Sequence, residues 1–372
     1  MIGIFSFFAG AGFLDLGFEM THKFKTLYVN EFKPSFNRIY RYSREKIGIN
    51  PPIYGHHVGD ILEWLSGEKN KELHQYIESA KSCSEIDLIG FIGGPPCPDF
   101  SVAGRNKGKE GDNGKLSQTY VDLICNIKPD FFLFENVKGL YRTTKHRVFF
   151  DSLKQQLKEA GYNLTEQLIN AIEYGAPQDR DRIILIGFHD SILTKYKIKT
   201  VDRELIGFDW EHHKKYTREI FQLPWPQKTP YQENIPTVIP EGIIEELTIS
   251  YWWKKNDVEH HPNANMYFQP RAGLQRFQSK DEGDDKKKCY KRLHRWRYSP
   301  TAAYGNNEVH IHPYKPRRIS VAEALAIQTL PANYAIPSDI SLTDAFKTIG
   351  NGVPFVAAKG IAESIFDYIY LK

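Results

Sequence analysis

The sequence predicts an α/β fold, a parallel sheet covered by helices on both faces, joined to a second, smaller and irregular domain. Two observations carry this. Through the first half, short apolar runs alternate with amphipathic segments, the pattern of strands linked by crossover helices. After about residue 190 the alternation gives way to proline breaks, aromatic clusters and charge runs, and a helical pattern resumes only beyond Arg318. The chain's 372 residues suit about two domains of roughly 150 residues each.

Taken in order, Ile2–Phe7, Thr26–Asn30, Ile86–Ile92, Phe131–Phe134 and Ile183–Phe188 read as buried strands. Each is brief, rich in Ile, Phe, Leu and Val, and bounded by turn residues. Asp151–Ala160 sets Leu153 and Leu157 one helical turn apart, and Gly161 is placed to end that helix. Ser320 and Glu323 make a capping box for a helix whose apolar side is Val321, Leu325 and Ile327. Val356–Ile369 aligns Ile361, Ile365 and Ile369 on one stripe, a C-terminal helix docking on a core. The first domain is expected over 1–190 plus 337–372, and the second over 191–336.

Composition narrows the function. Ordinary apolar content with 13% aromatics excludes a disordered or fibrous chain. No apolar run approaches the roughly 18 residues of a membrane span, and the N-terminus has no basic signal-peptide region. Cys83, Cys97, Cys125 and Cys289 form no C-x-x-C pair, so neither a metal site nor a disulfide scaffold is expected, and a reducing cytoplasm is. The net charge of +4 is small, but residues 191–316 hold 21 Lys and Arg against 16 Asp and Glu. Seven basic residues and no acid fall within Lys286–Arg297, interleaved with Tyr290 and Trp296. Such a run fits phosphate contact.

Three places could carry chemistry. The first strand runs into Phe8-Ala9-Gly10-Ala11-Gly12, where glycines allow a ligand to approach the backbone. Glu31, nineteen residues past Gly12 at the end of the second strand, can bind the hydroxyls of a ribose. Asp15 stands where a dinucleotide fingerprint has its third glycine, which favours adenosine with a small polar tail, such as S-adenosylmethionine, over NAD. Next, Pro96 and Pro98 stiffen the loop around Cys97 at the carboxyl edge of the sheet, which makes its thiol a nucleophile candidate. Glu135, at the tip of Phe131–Phe134, is desolvated enough to hold a proton. Arg180 and Arg182, two apart before another apolar strand, share one side and can hold a phosphate or a base carbonyl.

In this order the motifs resemble the cytosine-C5 DNA methyltransferase family over nearly the whole chain. Phe8, Gly10 and Gly12 resemble its first cofactor motif. Glu31 with Phe32, then Gly59-Asp60-Ile61, resemble its ribose- and adenine-contacting positions, and Leu116 the next cofactor contact. Pro96-Cys97 resembles the nucleophile motif, Glu135-Asn136-Val137 its ENV, and Gln178-x-Arg180-x-Arg182 its QxRxR. Arg318 to Pro331, with Glu323 and Gln328, resembles a later helix, and Gly350-Asn351-Gly352-Val353-Pro354 the final motif. Three residues depart: Pro98 where the family usually has Gln, Phe13 for a second glycine, and Gly352 for a common Ser.

The resemblance implies a Rossmann-like S-adenosylmethionine-dependent methyltransferase domain with a target-recognition domain. Cys97 would add to C6 of a flipped-out cytosine, Glu135 would hold N3 and the exocyclic amine, Arg182 would bind O2, and Arg180 would support the loop or a phosphate. S-adenosylmethionine, leaving as S-adenosylhomocysteine, would lie on Phe8, Gly10, Gly12, Glu31, Phe32, Asp60, Ile61, Leu116 and Asn351. Ser101–Leu116, with Arg105, would be a mobile lid over double-stranded DNA. Lys287, Lys288, Lys291, Arg292, Arg295, Arg297 and Thr301 would contact the DNA. The resemblance further implies a monomer of a bacterial or phage restriction-modification system, with a cognate endonuclease that acts on the same site without a stable complex. A tRNA-directed cytosine methyltransferase, a non-catalytic DNA-binding relative and an NAD oxidoreductase are the competing readings.

Overall fold

The computed structural model describes residues 1–96, 112–141, 143–305 and 308–371. Its centre is a nine-stranded sheet. The strands are β1 (Ile2–Phe7), β2 (Phe24–Glu31), β3 (His56–Val58), β4 (Leu88–Gly93), β5 (Phe131–Val137), β6 (Tyr162–Asn170), β7 (Asp181–His189), β8 (Thr200–Val201) and β9 (Glu204–Leu205). Their spatial order is β3-β2-β1-β4-β5-β7-β6-β9-β8.

The five strands from β3 to β5 are parallel, as expected. The rest corrects the expectation of a wholly parallel sheet. β7 lies antiparallel between β5 and β6, and β6, read as no strand in the sequence, pairs with it along nine residues. β6 and β7 are joined without a crossover helix, so they can only meet antiparallel.

Side chains alternate across the sheet. In β5, Phe132 and Phe134 enter one core with α3 (Gly67–Lys81), α4 (Asp112–Ile127) and α5 (Thr144–Glu159). Phe131 and Leu133 enter the opposite core with α1 (Phe13–Glu19) and α11 (Phe355–Tyr370). Burial on both faces explains why these strands read as continuous apolar runs. α4 starts at Asp112, so the last residues of the expected Ser101–Leu116 loop are helical. Residues 97–111, including Cys97 and Arg105, lie outside the described residues.

A third core joins the irregular segment to the turn after β1 and to α1. Ile249, Trp252, Trp253, Leu293 and Val309 pack with α9 (Val321–Ile327) and α10 (Leu342–Asn351), and also with Ala11, Phe13 and Leu16 of the first turn and α1. The expected capping box is present: Ser320 Oγ accepts from Glu323 N at 3.2 Å, and Glu323 Oε2 from Ser320 N at 2.7 Å. No helix among the described residues is long and apolar enough to cross a membrane.

Candidate active site

The carboxyl ends of β1 and β2 form the first part of the site, where parallel α/β sheets bind ligands. Gly10 and Gly12 have φ of 58° and 75°, the left-handed region that glycine adopts without strain. A Cβ on Gly12 would lie 2.4 Å from the Tyr40 ring, whereas one on Gly10 would meet only Thr348 Oγ1, at 3.9 Å. The outer side of Gly10 is therefore open. Thr348 Oγ1 beside it is buried and has no hydrogen-bond partner.

Glu31 is buried, with one carboxylate oxygen accepting from Gly10 N at 2.7 Å and the other from Lys33 N at 2.8 Å. Burial raises its pKa, and these amides oppose the rise. Each oxygen keeps a second lone pair, so the carboxylate is oriented while it can still receive ligand hydroxyls. Phe32 beside it is 68% exposed. Gly59 N donates to Glu31 O at 3.2 Å, which brings the second loop alongside. There Asp60 caps the short turn Ile61–Trp64, accepting from Leu62 N at 3.0 Å, and Ile61 is buried. Leu116 is half-buried on α4, one turn from Tyr120, whose ring meets Phe8 edge-on at 5.9 Å. Asn351 is exposed at the end of α10.

Two of the sequence departures compensate each other. Phe13 is buried and points away from the open side of Gly10, against Tyr334 and Gly352. A Cβ on Gly352 would lie 2.1 Å from Phe13 Cδ2. With a phenylalanine at 13, residue 352 has room only for glycine. Gly352→Ser should therefore destabilise the fold by about 1–3 kcal/mol through overpacking. In denaturant unfolding, the Gly352→Ser, Phe13→Ala double variant should fall short of the summed single losses by about 1 kcal/mol or more. Strict additivity would contradict this account.

The second part of the site is at the tip of β5. Glu135 and Arg182 are both buried, with Glu135 Oε1 2.7 Å from Arg182 Nε. Arg182 pairs in register with Val137, so Glu135 lies two residues along on the same face, within diagonal reach. Burial raises the Glu135 pKa, while the positive charges of Arg182 and Arg180 oppose the rise. A Cβ on Gly94 would be 2.6 Å from Glu135 Oε2, and Asn136 Nδ2 donates to Pro95 O at 3.4 Å. The Glu135-Asn136 tip thus lies against Gly94 and Pro95, which lead through Pro96 into Cys97.

Arg180 is held differently from Arg182. It is 1% exposed and donates to Ala302 O at 3.0 Å and Gly350 O at 2.6 Å. It holds backbone, and no phosphate can reach it.

The basic run divides in the same way. Arg292 is fully buried among the carbonyls of Phe277, His312, Pro313 and Lys315. Arg295 is buried in a fork with Glu282, at 2.9 and 2.8 Å, and Arg297 pairs with Asp285. Arg292 and Arg295, expected to face DNA, instead tie together the irregular segment, while Arg297 is half-buried. Lys287 and Lys288 are exposed, with Lys288 3.4 Å from Glu308, and Lys291 is half-exposed. Thr301 is exposed and donates to Asp179 O at 2.6 Å, which sets it beside the QxRxR segment. Elsewhere, His212, His213 and Asp367 bring ligand atoms within 4.8 Å of one another, but two of these groups are already partnered: Asp367 lies near Lys23 and His213, and His213 also lies near Glu363.

Comparison with known proteins agrees over the full length. The family described as C-5 cytosine-specific DNA methylase matches residues 2–367. Type II methyltransferase M.NmeDI of Neisseria meningitidis serogroup C is 57% identical over 371 residues, covering 98% of this chain and 84% of that protein. Type II methyltransferase M.FnuDI of Fusobacterium nucleatum is 28% identical over 384 residues, covering 99% and 96%. The crystal structure of the S. pombe Dnmt2 methyltransferase superposes with a TM-score of 0.60 over 99% of this chain and 98% of that one. At 12% identity that likeness concerns the fold alone.

Proposed function

This chain belongs to the C-5 cytosine-specific DNA methylases and is a DNA (cytosine-5) methyltransferase, and from that premise we propose how its residues carry out the transfer. The observation that supports the reading best is the buried Glu135–Arg182 pair, with the Glu135-Asn136 tip against Gly94 and Pro95, two residues before Cys97.

Cytosine C5 is too weak a nucleophile to be methylated directly. The Cys97 thiolate adds to C6, forming a C–S bond, and the displaced electron pair moves onto the ring. Glu135 donates a proton or hydrogen bond at N3 and accepts from the exocyclic amine. Its burial favours the protonated form that this requires. Arg182 keeps the Glu135 carboxyl in place and directs its guanidinium toward O2. When bound, S-adenosylmethionine supplies an electrophilic methyl group. Once C5 is methylated, a water takes the C5 proton, the C6–S bond breaks to return Cys97 as thiolate, and N3 gives its proton back to Glu135, which restores the aromatic ring.

The residues fit that cofactor. Glu31 would take the ribose hydroxyls, Phe32, Asp60 and Ile61 the adenine, and Phe8, Gly10, Gly12, Leu116 and Asn351 the remainder. The open side of Gly10 and the unpartnered Thr348 hydroxyl next to it suit the polar tail. Double-stranded DNA would lie along Lys287, Lys288, Lys291 and Thr301, with Arg105 from the segment following Cys97. Extruding the base costs a few kcal/mol, repaid by these contacts. The enzyme acts as a monomer in the cytoplasm, as the protecting partner of an endonuclease that reads the same sequence.

Incubation with tritiated S-adenosylmethionine tests the substrate. Label should enter unmethylated duplex DNA and not tRNA. Label on tRNA alone would overturn the assignment.

A further inference from the structure

We propose that Gln328 is a positioning residue that couples cofactor binding to DNA binding. The proposal rests on the cofactor and DNA faces assigned above, and it concerns the buried junction between them.

On the cofactor side, Gln328 Nε2 donates to Ile349 O at 2.6 Å, and Gln328 O accepts from Phe355 N at 2.9 Å. One residue thereby fixes the chain on both sides of Asn351. On the DNA side, Gln178 Oε1 accepts from Ala302 N at 3.2 Å, next to Thr301. The two sides meet where Gln178 Nε2 donates to Gln328 Oε1 at 3.3 Å. Arg180 runs parallel to this link, spanning Ala302 O and Gly350 O. Gln178 and Gln328 are both fully buried.

Two physical features make this junction a transmitter. A buried amide that loses its partner pays the full desolvation cost, so the chain of bonds shifts as a unit or stays in place. There is also no slack beside it: a Cβ on Gly350 would lie 3.0 Å from Ala303 O and 3.2 Å from Tyr304 Cβ. A ligand that settles the backbone around Asn351 therefore settles Ala302 and Thr301. By linkage the reverse holds, and each ligand strengthens the other by the same factor.

The test uses the intact chain, S-adenosylhomocysteine, and a short duplex carrying the sequence that the enzyme methylates on plasmid DNA. Dissociation constants are measured for each ligand with and without the other. In the wild type each should tighten the other by about tenfold or more. In Gln328→Met, which keeps the packing but removes both amide arms, the factor should fall below about twofold, while each ligand alone binds within about threefold of wild type. Should Gln328→Met fail to fold, Gln178→Glu decides. It keeps the acceptor for Ala302 N and Arg180 and sets two acceptors face to face at the Gln328 link, and it should lose the coupling in the same way. A wild-type factor near unity, or full coupling in the folded variant, overturns the proposal. Failure of the wild type to methylate any DNA would instead overturn the functional reading beneath it.

Discussion

Replacing Cys97 by alanine should abolish methyl transfer, lowering kcat by at least about four orders of magnitude, while DNA binding stays largely intact. The size follows from the chemistry. Without a sulfur at C6 the ring keeps its aromaticity, and nothing else in the site makes C5 nucleophilic. Binding should survive because the residues assigned to DNA, Lys287, Lys288, Lys291, Thr301 and Arg105, are all retained in the variant. The sequence around the thiol supports the role. Pro96 and Pro98 restrict the backbone on either side of it. Gly94 and Pro95, shortly before it in the chain, lie against the Glu135-Asn136 tip, and in the proposed mechanism nucleophile and proton donor meet the same base. Steady-state turnover with tritiated cofactor and gel-shift binding measure the two halves. Residual turnover above the predicted floor would refute a nucleophilic Cys97.

Glu135→Gln should lower kcat by about 10²–10⁴-fold, the range for removing a positioned acid–base group. Gln keeps the shape and can still accept from Arg182, but it has no proton to give N3. S-adenosylhomocysteine affinity should stay within about twofold of wild type, because Glu31 and Gly10 are set by other strands. Full truncation is a different experiment. Glu135→Ala would leave Arg182 buried without its partner, at a cost of about 3–5 kcal/mol in stability. A drop in melting temperature should therefore accompany the alanine variant far more than the glutamine one. Turnover of Glu135→Gln within tenfold of wild type would contradict the acid role.

The signals that point to the proposed site are legible in sequence because each is local. A glycine turn after an apolar strand, a carboxylate at the end of another and a cysteine between prolines each declare themselves within ten residues. β1 is the run expected, Ile2–Phe7. The expectation failed where long-range partners decide. β6 carries Asn163, Glu166, Gln167 and Asn170, and four of its residues are only half-buried, so its apolar pattern is broken. Its antiparallel pairing through β7 follows from the short return between them, which periodicity does not report. The buried arginines of the basic run are hidden from sequence for a related reason. Charge in sequence suggests solvent or phosphate, but Arg292 finds its carbonyl partners 15 to 23 residues away. Arg180 reaches Ala302 and Gly350, over 100 residues distant, and only the fold shows that it is an internal tie. The exchange between Phe13 and Gly352 was legible as two separate oddities, and the Phe13 ring against Gly352 makes it one.

The central claim, covalent C5 methylation by Cys97 at a fixed DNA sequence, is tested most directly by bisulfite sequencing of DNA from cells that express the wild type or Cys97→Ala. The wild type should protect one cytosine within a recurring sequence, and Cys97→Ala should protect none. A genome with no protected cytosines, or the same pattern in both, would contradict it.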